Sequence, residues 1–268
     1  MMIPIDEGED IKNPKENGVY GTRWNTIHNG YFSDQQVSFP MVEVIMKAIQ
    51  KNKPHIVVDL GGGTGFILKQ LLQHQNFPKT IRLINVDTSP LQHSENRDQQ
   101  IINIQTSIEE LTRKQLQPNK NELMLIARSI LHYFGEENLE PILRHIRSVL
   151  KKGEIFIHQT ACFQNIIDAQ CLNEIYKLMG TQKWYTTIDS LKSVMDDVGF
   201  QVYDIRNASN LQLDSKDLME RYQLNPEQVT AIQKQIEQKY GQKTQIYTCA
   251  PHHFTAWLHY NIFSCKAI

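Results

Sequence analysis

From Val57 to Phe66 the chain reads VVDLGGGTGF, an apolar and β-branched run that ends on an acid and passes directly into four glycines within five residues. A tight turn needs one or two glycines. Four imply that something approaches the main chain more closely than side chains allow, because glycine alone offers positive φ and a surface without Cβ. The run before the glycines reads as a buried strand and FILKQLLQH after them as a helix. In an open parallel sheet, that first strand-to-helix turn is where a ligand comes nearest the backbone, and the helix N-terminus favours an anionic group.

The rest of the chain repeats the same rhythm. In SFPMVEVIMKAIQKNK the residues Met41, Val44, Ile45, Ala48 and Ile49 follow helical spacing, with Ser38 as a cap and Pro40 in the first turn. Apolar runs at IRLINVD, IINIQ, NELMLIARSI and GEIFIHQT alternate with helical patterns, notably Leu139, Ile142, Leu143, Ile146 and Leu150 ahead of Gly153. A helix ending at Gly199 and the strand FQVYDIR follow, and FTAWLHYNIFSCKA reads as the last strand. Strands alternating with helices predict a doubly wound α/β fold around a mostly parallel sheet. About 45 polar residues, roughly 207–252, intervene before the last strand and read as a helical insertion too long for an ordinary loop. Its helix starts at Asn225, Pro226 and Gln228, buries Val229, Ile232, Ile236 and Tyr240, and stops at Gly241.

Composition narrows the partners. A net charge of -1 over 268 residues, with no run of five like charges, supplies no field to hold a nucleic acid backbone. The opening MMIPIDEGEDIKNPKENG is acidic and polar, and no apolar run approaches the ~20 residues of a membrane span. A cytoplasmic protein is expected. Cys162, Cys171, Cys249 and Cys265 form no CxxC pair and no zinc-ligand spacing, so they read as small core residues.

Spacing then excludes several ligands. A GxGxxG fingerprint fails, since its last position falls on Phe66 or Leu68, and neither GK[ST] nor GxSxG occurs. What stands is an acid followed by GxGxG, with a second acid, Asp87, closing the next strand. A carboxylate there is placed to accept hydrogen bonds from ribose hydroxyls, worth about 1.5–3 kcal/mol each.

DLGGGTG and Asp87 in LINVDTSP resemble the first two motifs of the class I S-adenosylmethionine-dependent methyltransferases. IARSILHYFGEENLEPILRHIRSVLKKGEIFIHQT and YTTIDSLKSVMDDVGFQVYDIR resemble that family's later strands and helices, from about Ser38 onward. The resemblance implies a Rossmann-like, seven-stranded sheet with the last strand antiparallel, a 38–268 methyltransferase domain and a 1–37 segment serving as an N-terminal helical lid. It implies S-adenosyl-L-methionine as cofactor. Asp59 and the backbone of Gly61, Gly62, Gly63 and Gly65 would hold its amino acid end and Asp87 its ribose, with Thr88 beside the adenosine. Ser107 and Ile108 match the adenine pocket, where the family often has an acid in place of Ser107. Ala127, Arg128 and Ser129 match the segment under the methionine part.

The sulfonium carries its own electrophilic methyl group, so in-line displacement with the acceptor held in place is the implied chemistry, and a general base is optional. His132 and His253 are candidate bases, beside His252. Tyr20, Trp24, Tyr31, Phe32, Trp184 and Tyr185 are candidates for the lid and acceptor pocket, or for simple aromatic packing. Because no [DNS]PPY tetrapeptide, no Pro-Cys pair and no Asp at the end of the fourth strand occurs, a small organic acceptor is favoured and no metal is expected. The acceptor atom stays open among O, N and C, and the assembly between monomer and homodimer. A nicotinamide-dependent oxidoreductase and a non-catalytic cofactor-binding protein are the competing readings.

Overall fold

The computed structural model describes residues 26–96, 98–118 and 122–268. Five strands run parallel: β1 (Ile56–Leu60), β2 (Arg82–Asp87), β3 (Ile101–Gln105), β4 (Leu123–Arg128) and β5 (Ile155–Phe163). Two more complete the path, β7 (Phe200–Asn207) and β11 (Tyr260–Ala267), in the order β3-β2-β1-β4-β5-β11-β7, with β11 antiparallel to both neighbours. A two-residue strand, β6 (Thr186–Thr187), pairs off this path with the end of β5. The expected seven-stranded doubly wound sheet is therefore the sheet observed.

Burial on both faces explains the continuous apolar runs. Along β4, Met124 and Ile126 face the helices α1 (Gln35–Asn52) and α2 (Phe66–Gln73), in a core with Ile45, Ile49, Leu68 and Leu71. Leu125 and Ala127 face the other way. They meet Leu139, Ile142, Leu143 and Ile146 across the sheet, after the short helices α3 (Pro90–Ser94) and α4 (Arg113–Leu116), on α5 (Gly135–Val149). The helix α6 (Ile166–Leu178) follows β5, and α7 (Ile188–Asp197) lies against α5 and β7. Helix α1 begins at Gln35 rather than near Ser38, because the Asp34 carboxylate accepts the N–H groups of Gln36 and Val37 and caps the helix one turn earlier.

The region before the last strand departs furthest from expectation. It is not only helical. Residues 211–258 form a cap with its own antiparallel sheet, β8 (Leu211–Asp214), β9 (Tyr247–Ala250) and β10 (His253–Leu258), in the order β8-β10-β9, with helices α8 (Ser215–Tyr222) and α9 (Pro226–Tyr240) packed on it. Helix α9 has the expected capping box between Asn225 and Gln228. FTAWLHYNIFSCKA is two strands in two sheets: β10 pairs within the cap, β11 in the main sheet, and the His259 carbonyl between them accepts the Cys162 N–H at 2.9 Å. Cys162, Cys171 and Cys265 are buried, whereas Cys249 is exposed on β9, where the cap meets solvent. Among the described residues, no helix is long and apolar enough to cross a membrane.

Candidate functional site

The carboxyl ends of β1 and β2 meet at the glycine loop, and each glycine there has a steric reason. Gly61, Gly63 and Gly65 take φ of +63°, +54° and +72°. A Cβ on Gly61 would stand 2.8 Å from Ile130, and one on Gly62 would stand 2.3 Å from the Asn85 carboxamide oxygen and 2.7 Å from the Asp59 carboxyl carbon. The glycine N–H groups are engaged internally: Gly61 and Gly62 donate to the Val86 carbonyl, Gly65 to Gly62, and Gly63 to Asp87 Oδ2 at 2.8 Å. What the loop offers a ligand is close approach to Cα atoms and the N-terminal turn of α2, more than glycine N–H donors.

Asp87 is half-buried, its Oδ1 accepting the Ser89 N–H at 2.9 Å. Each carboxylate oxygen retains a lone pair for a further donor. Thr88 is exposed beside it, Ser107 accepts the Glu110 N–H, and Ile108 is buried against Gly61.

Asp59 lies beneath the loop at 1% exposure, and its Oδ1 has no hydrogen-bond partner among the described residues. Burial, reinforced by Asp87, pushes its carboxyl up to about 8 against the opposing pull of Arg128. A buried acid with an unused oxygen beside a glycine cradle is suited to a cationic ligand group. The Arg128 guanidinium closes the other side, donating to the Phe32 carbonyl at 2.9 Å and lying over the rings of Tyr31, Phe32 and Phe66 at 5.7, 5.5 and 5.9 Å. Ala127 is buried behind it, and Ser129 takes the unusual φ of +61°.

Beyond β4 lies a buried cluster of phenols. Ser129 Oγ and the Tyr260 hydroxyl are 2.5 Å apart, Tyr31 stacks on Tyr260 at 5.7 Å, and the Tyr31 hydroxyl donates to the Ser209 carbonyl. His132 is buried and stacks on Tyr185 at 5.1 Å; Tyr185 in turn meets Tyr176 at 5.2 Å. Lys183, also buried, donates to the Tyr222 hydroxyl at 3.0 Å and lies 4.5 Å from the Tyr133 ring centre. Arg221 of α8 bonds His28 at 2.8 Å, which joins the chain ahead of α1 to the cap.

The structure does not bring every expected residue here. His253 bonds Asp214 at 3.0 Å within the cap sheet, five residues and roughly 17 Å of extended chain from Leu258. His252 is exposed in the adjoining turn at φ +61°. Trp184 faces a surface groove of about 560 Å³ between α5 and α7, with Glu136, Glu137 and Glu140 on its rim. Tyr20 and Trp24 lie outside the described residues. Sequence reasoning missed Asn85, Lys183, the tyrosines of positions 176, 222 and 260, and the buried Gln159, whose Nε2 donates to the Tyr31 hydroxyl at 3.5 Å. Of these only Asn85 had a local signal, a carboxamide inside an apolar strand. Among the described residues, no three His, Cys, Asp or Glu side chains are grouped to hold a metal ion.

Residues 57–153 match the family model described as a methyltransferase domain. Among curated proteins no relative matches by sequence. Solved structures are similar in fold at low identity. The YcgJ protein from Bacillus subtilis is 14% identical at a TM-score of 0.61, covering 85% of this chain and 98% of that one. Burkholderia thailandensis 1,6-didemethyltoxoflavin-N1-methyltransferase, solved with its substrate and S-adenosylhomocysteine, is 14% identical at a TM-score of 0.52, covering 100% of this chain and 93% of that one. The [4+2]-cyclase SpnF is 14% identical at a TM-score of 0.55, covering 87% of this chain and 82% of that one. Residues 57–153 therefore carry a methyltransferase domain, set in a sheet with the order β3-β2-β1-β4-β5-β11-β7.

Proposed function

We propose that the protein methylates an O, N or C atom of a small organic molecule by in-line displacement at the S-adenosylmethionine methyl group. The observation that supports this reading is that Arg128 faces both the buried Asp59 beside the glycine loop and the buried phenols of Tyr31 and Tyr260, so the cradle adjoins the phenol cluster that the cap covers. The unused Asp59 oxygen and the Gly62 contact fit an aminoacyl group lying over the loop, and Asp87 fits ribose hydroxyls. Thr88, Ser107 and Ile108 flank the adenine in this reading, and Ala127, Arg128 and Ser129 run under the methionine part. The cofactor supplies the activated methyl group. The protein's share is placement of the acceptor, which in well-aligned systems accounts for about 7–11 kcal/mol. His132, buried within the ring stack, is the group placed to take a proton where the acceptor is neutral. His253, bonded to Asp214 in the cap sheet, is the second candidate base.

Titration calorimetry with S-adenosylmethionine and S-adenosylhomocysteine tests the cradle. Micromolar binding is expected, and Asp87→Ala weakens it by about 10²-fold or more, the loss of two charge-assisted hydrogen bonds. Because SpnF carries this fold, binding alone does not establish transfer. Incubation of the protein and methyl-labelled cofactor with a metabolite extract should move label into a small product. Label found only in protein or nucleic acid would overturn the small-molecule reading.

A further inference from the structure

Strand β2 is buried on both faces, yet between Ile84 and Val86 it carries Asn85 at 0% exposure. A carboxamide in such a place is unfavourable unless its polar atoms are paired. Both Nδ2 hydrogens are used. One goes to the Gly63 carbonyl at 2.8 Å, the other to Asn103 Oδ1 on β3 at 3.3 Å. Asn103 Oδ1 also accepts Asn96 Nδ2 at 2.9 Å, which ties the chain entering β3 into the same relay. The orientation of the Asn85 amide follows from its partners, since the reverse flip would set its oxygen against the Gly63 carbonyl. Its Oδ1 then lies against Gly62, with no hydrogen-bond partner among the described residues, and fills the space a Cβ at position 62 would need.

Gly63 is consequently held at both ends of its residue, the carbonyl by Asn85 and the N–H by Asp87. We infer that Asn85 is a positioning residue for the cofactor: it fixes the Gly63 carbonyl so that the loop keeps the curvature the aminoacyl group requires. This rests on the cofactor reading above. Asn85 acts through the loop. Asp87, by contrast, keeps its second anchor, the Ser89 N–H, when Asn85 is changed.

The test separates the two ends of the cofactor in the full-length protein. S-adenosylhomocysteine probes the loop and Asp87 together; adenosine lacks the aminoacyl part and probes the Asp87 end. Asn85→Leu should weaken S-adenosylhomocysteine about tenfold or more while adenosine stays within about threefold. Asn103→Ala, on the exposed edge strand, removes one link of the relay without touching the buried strand, and should show the same split at smaller size. Equal losses for both ligands, or no loss for either in a folded variant, would overturn the inference. Should Asn85→Leu fail to fold, the Asn103→Ala split decides alone. Failure of the wild-type protein to bind S-adenosylhomocysteine would instead refute the cofactor reading.

Discussion

Around the glycine loop, residues 59–65, 85–89, 96 and 103 hold one another through main-chain, carboxylate and carboxamide bonds from neighbouring strands. On the far side of β4 the wall is made instead by rings from widely separated parts of the chain: Tyr31 before α1, Tyr176 and Tyr185 after β5, Tyr222 in the cap and Tyr260 opening β11. The first region is rigid by construction, because its geometry is set by parallel strand register and by glycines that admit no Cβ. The second depends on the cap docking onto the sheet. A fold that keeps one cofactor and varies the acceptor would divide its structure in this way, with the common ligand on the strands and the variable one under the insertion.

The rigidity of the loop can be challenged directly. Gly62→Ala places a Cβ 2.3 Å from Asn85 Oδ1, and forcing apart so tight a contact costs about 1–3 kcal/mol, so S-adenosylhomocysteine affinity should fall about 10–100-fold by titration calorimetry. An alanine tolerated at wild-type affinity would show that the loop can yield.

The next effect is electrostatic. With its carboxyl at about 8, Asp59 is protonated at pH 6 and must lose that proton to face the cofactor's ammonium group. Affinity should therefore rise about tenfold from pH 6 to pH 7, with proton release visible as a dependence on buffer ionisation enthalpy. The same shift acts on stability. A folded value above the unfolded one near 3.8 favours the folded state at low pH, and that advantage drains as pH rises through about 8. Asp59→Asn should thus raise the melting temperature at pH 8, abolish the pH dependence of binding and weaken binding itself.

On the tyrosine side smaller changes are expected. Tyr31→Phe deletes the hydrogen bond to Ser209 and the long one accepted from Gln159 and keeps the stack on Tyr260, so acceptor turnover should drop less than about tenfold while cofactor affinity holds. A cofactor loss equal to the turnover loss would erase the contrast between the two regions. The last change lies in the core. Between the rings of Phe156 and Phe263, burial lowers His158 to about 3, so the folded state keeps it neutral. Its contribution is intact above about 6.5 and is lost as pH falls toward 3, where the unfolded chain takes up the proton. His158→Phe forfeits the 2.7 Å bond to the Thr160 hydroxyl, about 1 kcal/mol or more at pH 7, and should remove the acid-dependent loss of stability, read as a flatter melting temperature between pH 6.5 and pH 3.

Much of the first region was legible from local pattern. The glycines after Asp59, the acid at Asp87 and the helical stripe through Leu139, Ile142 and Ile146 are each written within one short segment. Asn85 was legible in principle, since a carboxamide in LINVD breaks an apolar run, but its partner Asn103, and Asn96 behind that, carry no mark of their own. The tyrosine wall left no such mark. Ser129 reaches Tyr260 across 131 positions of sequence, and neither neighbourhood predicts the other.

Sequence alone determined the alternation of strands and helices, the loop that needs glycine and the acids that flank it, because each follows from backbone sterics or periodicity within a few residues. Tertiary structure alone decided that the chain changes sheets at His259, that His253 stays in the cap while His132 joins the ring cluster, and which phenols meet. Alternating burial along a strand says which face is covered and never by what. FTAWLH and YNIFSCKA therefore read as one strand until β5 and β7 on one side, and β8 and β9 on the other, compete for their edges.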